Sequence, residues 1–307
     1  MDTILITGGA GFVGRALAEQ LLENYKVIVI DDLSSGYEKF LNKKVIFFKG
    51  SINDEMILNK AFDFKPSYII HLAALFANQN SIDNPINDLK TNGFGFIKIL
   101  EYCKKFNVKK VLYSSSSCVY GNKTIMNEND ADLNPDTPYA ITKLLGEHYA
   151  KFWSSHHGLD VVSVRLFNVY GPGDFPGVYR SVVPNFIKLA LQGKSLTITG
   201  SGKETRDFCY IDDTVNGICK VLFNKTTAGE TFNIATGKKT TILEIANTIN
   251  SYCNNSAKIL FKNLRKWDVV LNRQANIDKI SSRLGFTPSV GIDLGIKKTC
   301  DWLKHNI

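Results

Sequence analysis

The 307-residue sequence contains no apolar run long enough to cross a membrane. A spanning helix needs roughly 18 consecutive apolar residues, and no stretch of the chain approaches that length. A secretion signal is also missing, because the first strand-like run, at 3–7, follows the initiator methionine without the basic and apolar regions that such a signal requires. These absences predict a soluble protein that has no membrane partner and remains in the cytoplasm.

Cysteine is scarce and scattered. The six cysteines form no C-x-x-C pair, and the five histidines do not accompany them at the spacing of metal ligands. This spacing argues against both a disulfide framework and a structural metal site. We therefore predict no bound metal, and thiols that behave as small apolar side chains in a reducing compartment.

Clustered charge is missing as well. The net charge is +8, from 37 lysines and arginines against 29 acidic residues, but the basic residues are spread over many segments. Such a distribution is typical of solvated helix faces and loops, so we predict no nucleic-acid partner. The positive balance is compatible with a small substrate that carries phosphate groups.

Short apolar runs alternate with helical patterns through the first half of the chain. The runs lie at 3–7, 26–31, 45–49, 68–72, 110–115 and 161–167. This alternation predicts an α/β fold, namely a Rossmann-type, doubly wound parallel sheet. We assign residues 1–169 to this domain, with segments around 207–235 returning to it. Residues 170–307, where turns rich in glycine and proline begin, form mainly a smaller C-terminal lobe that binds the substrate.

A glycine-rich turn follows the first strand. Gly8, Gly11 and Gly14 stand in T-G-G-A-G-F-V-G, where backbone amides and a helix N-terminus can approach a pyrophosphate. Asp31 ends the second strand, where its carboxylate can accept hydrogen bonds from the adenosine ribose and repel a 2′-phosphate. The whole β-α-β unit therefore predicts NAD rather than NADP. Further cofactor contacts predicted in this unit are Phe12, Val13, Asp32 and Ser34.

Tyr139 and Lys143 lie four residues apart on a predicted helix that starts at a Thr137 cap and Pro138. Both side chains should therefore project from one face. An adjacent ammonium and a cationic nicotinamide should lower the pKa of the phenol from about 10 toward neutrality, so that Tyr139 can act as a general base. Upstream, Y-S-S-S-S-C-V-Y-G places hydroxyl groups at the carboxyl edge of the sheet, where open α/β folds bind ligands.

Taken in order, these motifs resemble the extended branch of the short-chain dehydrogenase/reductase superfamily, specifically its nucleotide-sugar epimerases and dehydratases. The resemblance covers nearly the whole chain. It rests on T-G-G-A-G-F-V-G, H-L-A-A, Asn92, S-S-S-S-C-V-Y-G, Y-A-I-T-K, R-L-F-N-V-Y-G-P-G and R-D-F-C-Y-I-D-D. It implies a tightly held NAD, a nucleotide-sugar substrate and a homodimer, which would use helices at 87–105 and 138–153.

The resemblance also assigns roles residue by residue. Compared with UDP-galactose 4-epimerases, the catalytic serine falls on Ser116, beside Tyr139 and Lys143. The cofactor would be lined by Ser51, Ile52, Leu72, Ala73, Ala74, Asn92, Ser114 and Phe167, together with Tyr139 and Lys143. The substrate would be bound by Ser116, Ser117, Cys118, Asn168, Arg206, Arg265 and Asp268.

The sequence departs from the family pattern at three positions. Ser51 replaces an aspartate that many relatives use for adenine, which leaves the Ile52 amide as the expected adenine contact. Phe76 replaces a lysine that contacts substrate in the 4-epimerases, so no substrate contact is predicted there. Asn272 falls near the position that limits pocket width, and its size favours access of an N-acetylated or otherwise bulky sugar.

The two residues after the catalytic serine discriminate between the reactions of this family. The 4,6-dehydratases carry an Asp-Glu pair there, and the decarboxylases commonly a glutamate, whereas this chain has Ser117 and Cys118. Neither group is an equal general base without special activation. We therefore predict epimerisation, at C4 of a UDP-hexose. The alternatives are a decarboxylase or 4,6-dehydratase of the same family, or a non-catalytic NAD-binding regulator.

Overall fold

The computed structural model describes residues 1–265 and 270–307. The chain divides into two compact units. Unit 1 comprises residues 1–119, 137–165 and 217–232, and unit 2 comprises residues 120–136, 166–216 and 233–307. The observed division thus falls at 165/166 where the sequence suggested 169/170. Residues 120–136 belong to unit 2, and of the segment 207–235 only residues 217–232 belong to unit 1.

A seven-stranded sheet, formed mainly by unit 1, is the central element. The strands of the described residues are β1 (Thr3–Thr7), β2 (Lys26–Asp31), β3 (Ile46–Lys49), β4 (Tyr68–His71), β5 (Lys110–Ser116), β6 (Ile125–Met126), β7 (Val161–Leu166), β8 (Asn168–Tyr170), β9 (Thr197–Thr199), β10 (Thr205–Arg206), β11 (Phe208–Tyr210), β12 (Thr231–Ile234), β13 (Thr240–Thr241), β14 (Leu260–Lys262) and β15 (Gln274–Ala275). The order in the sheet is β12-β7-β5-β4-β1-β2-β3.

The pairs β1–β2, β1–β4, β2–β3 and β4–β5 are parallel, and helices flank the sheet. The predicted Rossmann-type α/β fold is therefore confirmed. Strand order reverses at β1, since β2 and β3 lie on one side of it and β4 and β5 on the other. The carboxyl edge at such a reversal is where open parallel sheets bind ligands.

The helices are α1 (Phe12–Leu21), α2 (Glu55–Phe62), α3 (Asn78–Asp83), α4 (Pro85–Asp88), α5 (Gly95–Lys105), α6 (Pro138–His157), α7 (Val182–Leu191), α8 (Ile211–Phe223), α9 (Ile242–Cys253), α10 (Asp278–Leu284) and α11 (Ile292–Lys304). Helix α6 begins as predicted, because Thr137 Oγ1 accepts a hydrogen bond from Ala140 N at 3.3 Å and Pro138 occupies the first turn. Its left-handed C-cap, Gly158, ends it.

One predicted helix differs in the structure. The segment 87–105 is divided among the short α4, a π-helical segment at Leu89–Phe94, and α5. Asn92, within the π-helical segment, donates from Nδ2 to Asp88 Oδ1 at 2.8 Å. Wide turns of this kind are frequent at functional sites, because they turn side chains that a regular helix would direct elsewhere.

The core of unit 1 is formed around strands that are buried along their whole length. All five residues of β1 and all seven of β5 are buried, as expected for central strands with helices on both faces. Phe62 from α2 and Phe96 from α5 belong to the same buried cluster as Leu5, Val111 and Tyr113. This packing fixes the carboxyl ends of β1, β4 and β5 relative to one another.

Unit 2 consists of two-stranded pairs and packed helices. Strand β8 pairs with β11, β9 with β14, β10 with β13 and β6 with β15. Helices α7, α9 and α11 pack against one another, and α9 starts at a capping box formed by Thr241 and Glu244. Among the described residues of the whole chain, no helix is long and apolar enough to cross a membrane.

Candidate active site

The turn between β1 and α1 can be made only with glycine at several positions. Gly8 adopts φ +73°, and a Cβ there would lie 2.7 Å from Ala73 N. A Cβ on Gly14 would lie 2.5 Å from both Gly8 O and Gly9 Cα. The N-cap of α1 is Gly11, and no side chain caps the helix with a hydrogen bond. The close approach of the backbone segments therefore leaves the N-terminus of α1 open to a ligand. This is the cradle that a pyrophosphate requires.

Asp31 lies at the end of β2, beside this turn. Its Oδ2 accepts from Ala10 N at 2.9 Å and its Oδ1 from Leu33 N at 2.8 Å. Burial raises the pKa of this carboxyl, and the two backbone hydrogen bonds oppose that rise. Each oxygen retains a lone pair for a ribose hydroxyl, whereas a 2′-phosphate would bring like charge against the carboxylate. The residues therefore fit NAD.

The other residues near this turn that were predicted to contact the cofactor are less buried than Asp31. Phe12 and Val13 are half-buried in the first turn of α1, while Asp32 and Ser34 are exposed. Asp32 Oδ1 accepts from Ser34 N at 2.9 Å, so these two residues close a local turn. Ser51, after β3, uses its hydroxyl to accept from Asn53 N at 3.1 Å.

The loop after β4 is held by a buried amide. Leu72, Ala73 and Ala74 are half-buried there. Asn92 Oδ1 accepts from Leu75 N at 2.8 Å, and Asn92 Nδ2 donates to Leu75 O at 3.3 Å. The side chain predicted to line the cofactor is thus used to fix the backbone of this loop. Ile52 is buried too, and it packs closely against Gly95.

The three predicted catalytic residues come together in unit 1. Lys143 Nζ donates to Ser114 O at 2.8 Å and lies 5.7 Å from the centroid of the Tyr139 ring. The Ser116 side chain lies close enough to Tyr139 for a hydrogen bond that lowers the pKa of the phenol. The Ser116 hydroxyl also accepts from Cys118 N at 3.2 Å. A phenol, a hydroxyl and an ammonium therefore share one site at the carboxyl edge of β5.

The protonation of this site differs from the sequence-based prediction. Burial raises the pKa of Tyr139 well above its usual value, Cys118 and Asp88 raise it further, and the hydrogen bond with Ser116 lowers it. Burial also lowers the pKa of Lys143 to about 8, while the negative charge of Asp88 raises it. Among the protein groups, desolvation is thus the largest effect on the pKa of Tyr139. The expectation that Lys143 and a cationic nicotinamide together bring the phenol toward neutrality stays a prediction.

The run of four serines serves several purposes. Ser114 provides the carbonyl that binds Lys143, and Ser116 contacts Tyr139. Ser115 instead donates to Glu147 Oε1 at 2.5 Å. Ser117 is buried in the short turn after β5, and Cys118 in the same turn is half-buried.

The remaining predicted substrate residues belong to unit 2. Asn168 donates from both its backbone and its side-chain amide to Asp207 O, each at 3.1 Å. Arg206 Nη1 donates to Thr205 O at 2.9 Å and to Leu271 O at 3.3 Å. Arg265 is exposed. Asp268 lies outside the described residues.

Two further predicted positions in unit 2 make structural contacts. Phe167 is buried, and its backbone amide donates to Ile234 O at 3.3 Å. Asn272 is exposed and accepts from the Thr205 hydroxyl at 3.1 Å. Within residues 1–265 and 270–307, no group of three or more histidine, cysteine or acidic side chains could hold a metal ion.

Comparison with known proteins agrees with this arrangement. The model of the NAD dependent epimerase/dehydratase family matches residues 4–235, which is most of the chain. The chain belongs to this family.

Whole-length relatives of this epimerase/dehydratase have been described. A UDP-glucose 4-epimerase of Mycolicibacterium smegmatis is 32% identical over 98% of each chain. The solved structure of an epimerase from Methanothermobacter thermautotrophicus has 40% identity and a TM-score of 0.97, covering 99% of this chain and 93% of that one. A UDP-glucose 4-epimerase of Thermotoga maritima, solved with UDP-glucose, has 33% identity and a TM-score of 0.94, covering 99% of both chains.

A buried carboxylate that contacts helix α6 of this epimerase/dehydratase was not predicted from the sequence. Asp88 is fully buried, and its Oδ2 accepts from the Thr142 hydroxyl at 2.7 Å. Burial raises the pKa of Asp88, while Thr142 and the charge of Lys143 lower it. The available signal was its spacing, since Asp88 precedes Asn92 by four residues.

His71 is marked by the sequence only as part of the H-L-A-A motif. Its Nδ1 is hydrogen-bonded with the Thr7 hydroxyl at 2.8 Å, and its ring stacks near Phe96 and Tyr113. Burial, followed by the charge of Lys143, lowers the pKa of His71 to about 3. The His71 ring is therefore neutral at physiological pH, so the positive charge near Tyr139 is that of Lys143 and not of His71.

Replacing Gly14 by alanine should weaken NAD binding by more than about tenfold, because the new Cβ would push the first turn of α1 away from Gly8 and Gly9. Titration of the protein with NADH, followed by nicotinamide fluorescence, measures the effect. Gly291 is the matched control, since a Cβ there meets nothing within 4 Å and needs no positive φ. Equal affinity in the two alanine variants would show that the glycine turn does not bind the cofactor.

Proposed function

We propose that this protein is an NAD-dependent nucleotide-sugar epimerase that inverts carbon 4 of a UDP-hexose through a transient keto sugar. The observation that carries the proposal is the juxtaposition of Tyr139, Ser116 and Lys143 at the carboxyl edge of β5. The same edge of the sheet holds the glycine turn and Asp31. Whole-length similarity to UDP-glucose 4-epimerases supports it.

Each catalytic side chain has one task in this reaction. When bound, NAD supplies a hydride acceptor that holds the hydride and returns it to the same sugar carbon. Tyr139 acts in its phenolate form, which accepts the proton of the C4 hydroxyl during oxidation and returns it during reduction, and the positive charges of Lys143 and of bound NAD favour that form against the burial that raises the pKa of Tyr139. Ser116 donates a hydrogen bond to the reacting oxygen. Lys143, anchored on the Ser114 carbonyl, stabilises the negative charge of the phenolate.

Inversion requires the keto sugar to present its other face before the hydride returns, and no second acid or base is needed for that step. Dehydration or decarboxylation would need additional chemistry next to the serine. The residues there are Ser117 and Cys118, neither of which carries a carboxylate. Epimerisation is therefore favoured over both alternatives.

For unit 2 we propose that Arg206 binds the pyrophosphate of the substrate. Its guanidinium donates hydrogen bonds to the carbonyls of Thr205 and Leu271, which hold it in place. A planar guanidinium held in this way can donate to two phosphate oxygens. Asn168 and Arg265 are proposed as further substrate contacts. The Asn168 side chain is fixed on the Asp207 carbonyl, so its remaining oxygen can accept from the ligand.

The reaction is tested with the purified protein, NAD and UDP-galactose, followed by NMR of the anomeric proton. We expect conversion to UDP-glucose with no net consumption of NAD. A 6-deoxy-4-keto product would instead identify a dehydratase, and carbon dioxide released from UDP-glucuronate would identify a decarboxylase. If the protein binds NAD but converts no UDP-sugar, a regulatory role becomes the better interpretation.

We propose that the protein forms a symmetric dimer through an apolar helix surface of unit 1. Exposed large side chains lie on α4, the π-helical segment and α6, and these elements pack side by side. The surface consists of Ile86, Leu89, Phe94, Ile141 and Phe152. Patches of this kind mark interaction sites on soluble proteins, and two copies of one face pack isologously.

Replacing both Ile141 and Phe152 by glutamate should convert the dimer to a monomer, because four like charges would meet in an apolar interface. Light scattering after size-exclusion chromatography measures the mass. Val178→Glu is the control, because Val178 is 92% exposed in a loop of unit 2. A parent protein with the mass of one chain would contradict the proposed dimer.

A further inference from the structure

The loop that follows β4 is pinned on both sides of one exposed aromatic residue. Before it, both the N–H and the C=O of Leu75 are hydrogen-bonded to the Asn92 amide. Phe76 O accepts from Asn80 Nδ2 at 2.8 Å. After it, Ala77 O accepts from the backbone N–H at residue 81 at 3.0 Å. The backbone that carries the Phe76 ring is therefore fixed by the fold.

The Phe76 ring lies beside the catalytic phenol. Its centroid is 5.9 Å from that of Tyr139, and the planes meet at 86° in an edge-to-face pair. Tyr139 is only 6% exposed, whereas Phe76 is 48% exposed. Isolated exposed apolar side chains are common on protein surfaces. Phe76 is a different case, because four hydrogen bonds hold the backbone on either side of it and its ring packs edge-to-face on the Tyr139 ring. It therefore presents an apolar surface to whatever approaches Tyr139.

We propose that Phe76 is a substrate-binding residue whose ring packs against the apolar C–H face of the hexose and orients carbon 4 toward Tyr139. This inference rests on the proposed function. A pyranose ring presents C–H groups on its faces, and the electron-rich face of an aromatic ring attracts them. Sequence comparison predicted no substrate contact at this position because the family's lysine is replaced; the proposed contact has a different chemistry.

The chemistry of the loop also indicates the class of sugar. Residues 75–80, L-F-A-N-Q-N, carry no charged side chain. A carboxylate on the sugar would therefore find no cation on this segment, and it would lose water of hydration against an apolar ring. The loop favours a neutral hexose over a hexuronate.

The test compares the binding of UDP and UDP-glucose to the NAD-loaded protein by isothermal titration calorimetry. Phe76→Ala should raise the Kd of UDP-glucose about tenfold, because roughly half of a phenylalanine ring loses its apolar contact. The Kd of UDP should stay within about twofold, since UDP lacks the hexose. In steady-state assays, the weaker binding of the sugar by Phe76→Ala should appear mainly as a higher KM.

Two variants control for unrelated effects. Phe76→Tyr keeps the ring and should bind UDP-glucose like the parent. Phe64→Ala removes another partly exposed phenylalanine of unit 1, which packs near Phe48 and not near Tyr139, and should change neither Kd. Circular dichroism and thermal unfolding of Phe76→Ala establish that the variant is folded.

The outcomes separate this inference from the function on which it rests. If the parent converts UDP-hexoses and Phe76→Ala binds UDP-glucose as tightly as the parent, Phe76 is not a sugar contact. An equal loss of UDP and UDP-glucose affinity would overturn it as well, and tighter binding of UDP-glucuronate than of UDP-glucose by the parent would overturn the neutral class. A parent that binds NAD but neither UDP nor UDP-glucose would instead defeat the proposed function.

Discussion

Replacing Tyr139 by phenylalanine should lower the rate of epimerisation by about 10³-fold, the usual contribution of a positioned acid-base group. The ring and its edge-to-face packing on Phe76 are retained, so the change removes only the hydroxyl group. NAD affinity should fall far less than the rate, because only the contact of the Tyr139 hydroxyl is lost and the glycine turn and Asp31 are untouched. Initial rates with UDP-galactose and a parallel NADH titration measure the two quantities.

The pH profile gives a second measurement of the same site. Burial lowers the pKa of Lys143 to about 8, so its ammonium is present below that pH and is lost as the pH rises through it. Deprotonation of Tyr139 should raise the activity of the parent as the pH increases, and loss of the Lys143 ammonium should end that rise above about pH 8, whereas the residual activity of Tyr139→Phe should not follow this profile. A Tyr139→Phe variant with the full parental rate would remove the phenol from the mechanism.

Replacing Glu147 by alanine should have the largest effect on stability. Glu147 accepts from Arg165 Nε at 2.9 Å and from Arg165 Nη2 at 2.7 Å, and it also accepts from the Ser115 hydroxyl. Arg165 is almost fully buried, so removal of the carboxylate takes the counter-charge of Glu147 away from a guanidinium that water does not reach. We expect the free energy of unfolding to fall by about 3–5 kcal/mol, measured by urea denaturation.

The matched control is the exposed pair formed by Glu55 and Lys98, whose charged atoms are 3.2 Å apart. Glu55→Ala should cost less than about 1 kcal/mol, because water and salt screen an exposed pair. The double variant Glu147→Leu, Arg165→Met should regain much of the loss, since it removes both buried charges. Similar losses for Glu147→Ala and Glu55→Ala would show that the buried pair does not stabilise unit 1.

Local rules made the glycine turn and the position of Asp31 predictable. A glycine turn between a strand and a helix, with an acid at the end of the next strand, is confined to about 30 residues, and its chemistry depends on the backbone. The same holds for the start of α6, where Thr137 and Pro138 act within one turn. Tyr139 and Lys143 share a face because they are four residues apart on one helix.

Contacts between residues distant in the sequence determine the features of the site that these local rules could not predict. The four serines are equivalent by sequence, yet Ser115 binds Glu147 and Ser116 contacts Tyr139, because partners from α6 distinguish them. Asn92 stays a predicted cofactor contact, and the bonds of its amide with Leu75, made from a wide helical turn, could not be predicted from the sequence. The predicted substrate contacts in unit 2 depend in the same way on partners distant in the chain, such as Asp207 for Asn168.

The sequence by itself determined the parallel α/β fold, the family and NAD as the cofactor, since these depend on short spacings and on backbone geometry. Only the tertiary structure decided how the groups of the site are charged and which side chains lie beside them. Burial raises the pKa of Tyr139 and lowers that of Lys143, and a pinned loop brings Phe76 next to the phenol. Desolvation and proximity are properties of the packed chain, because residues far apart in sequence produce them together.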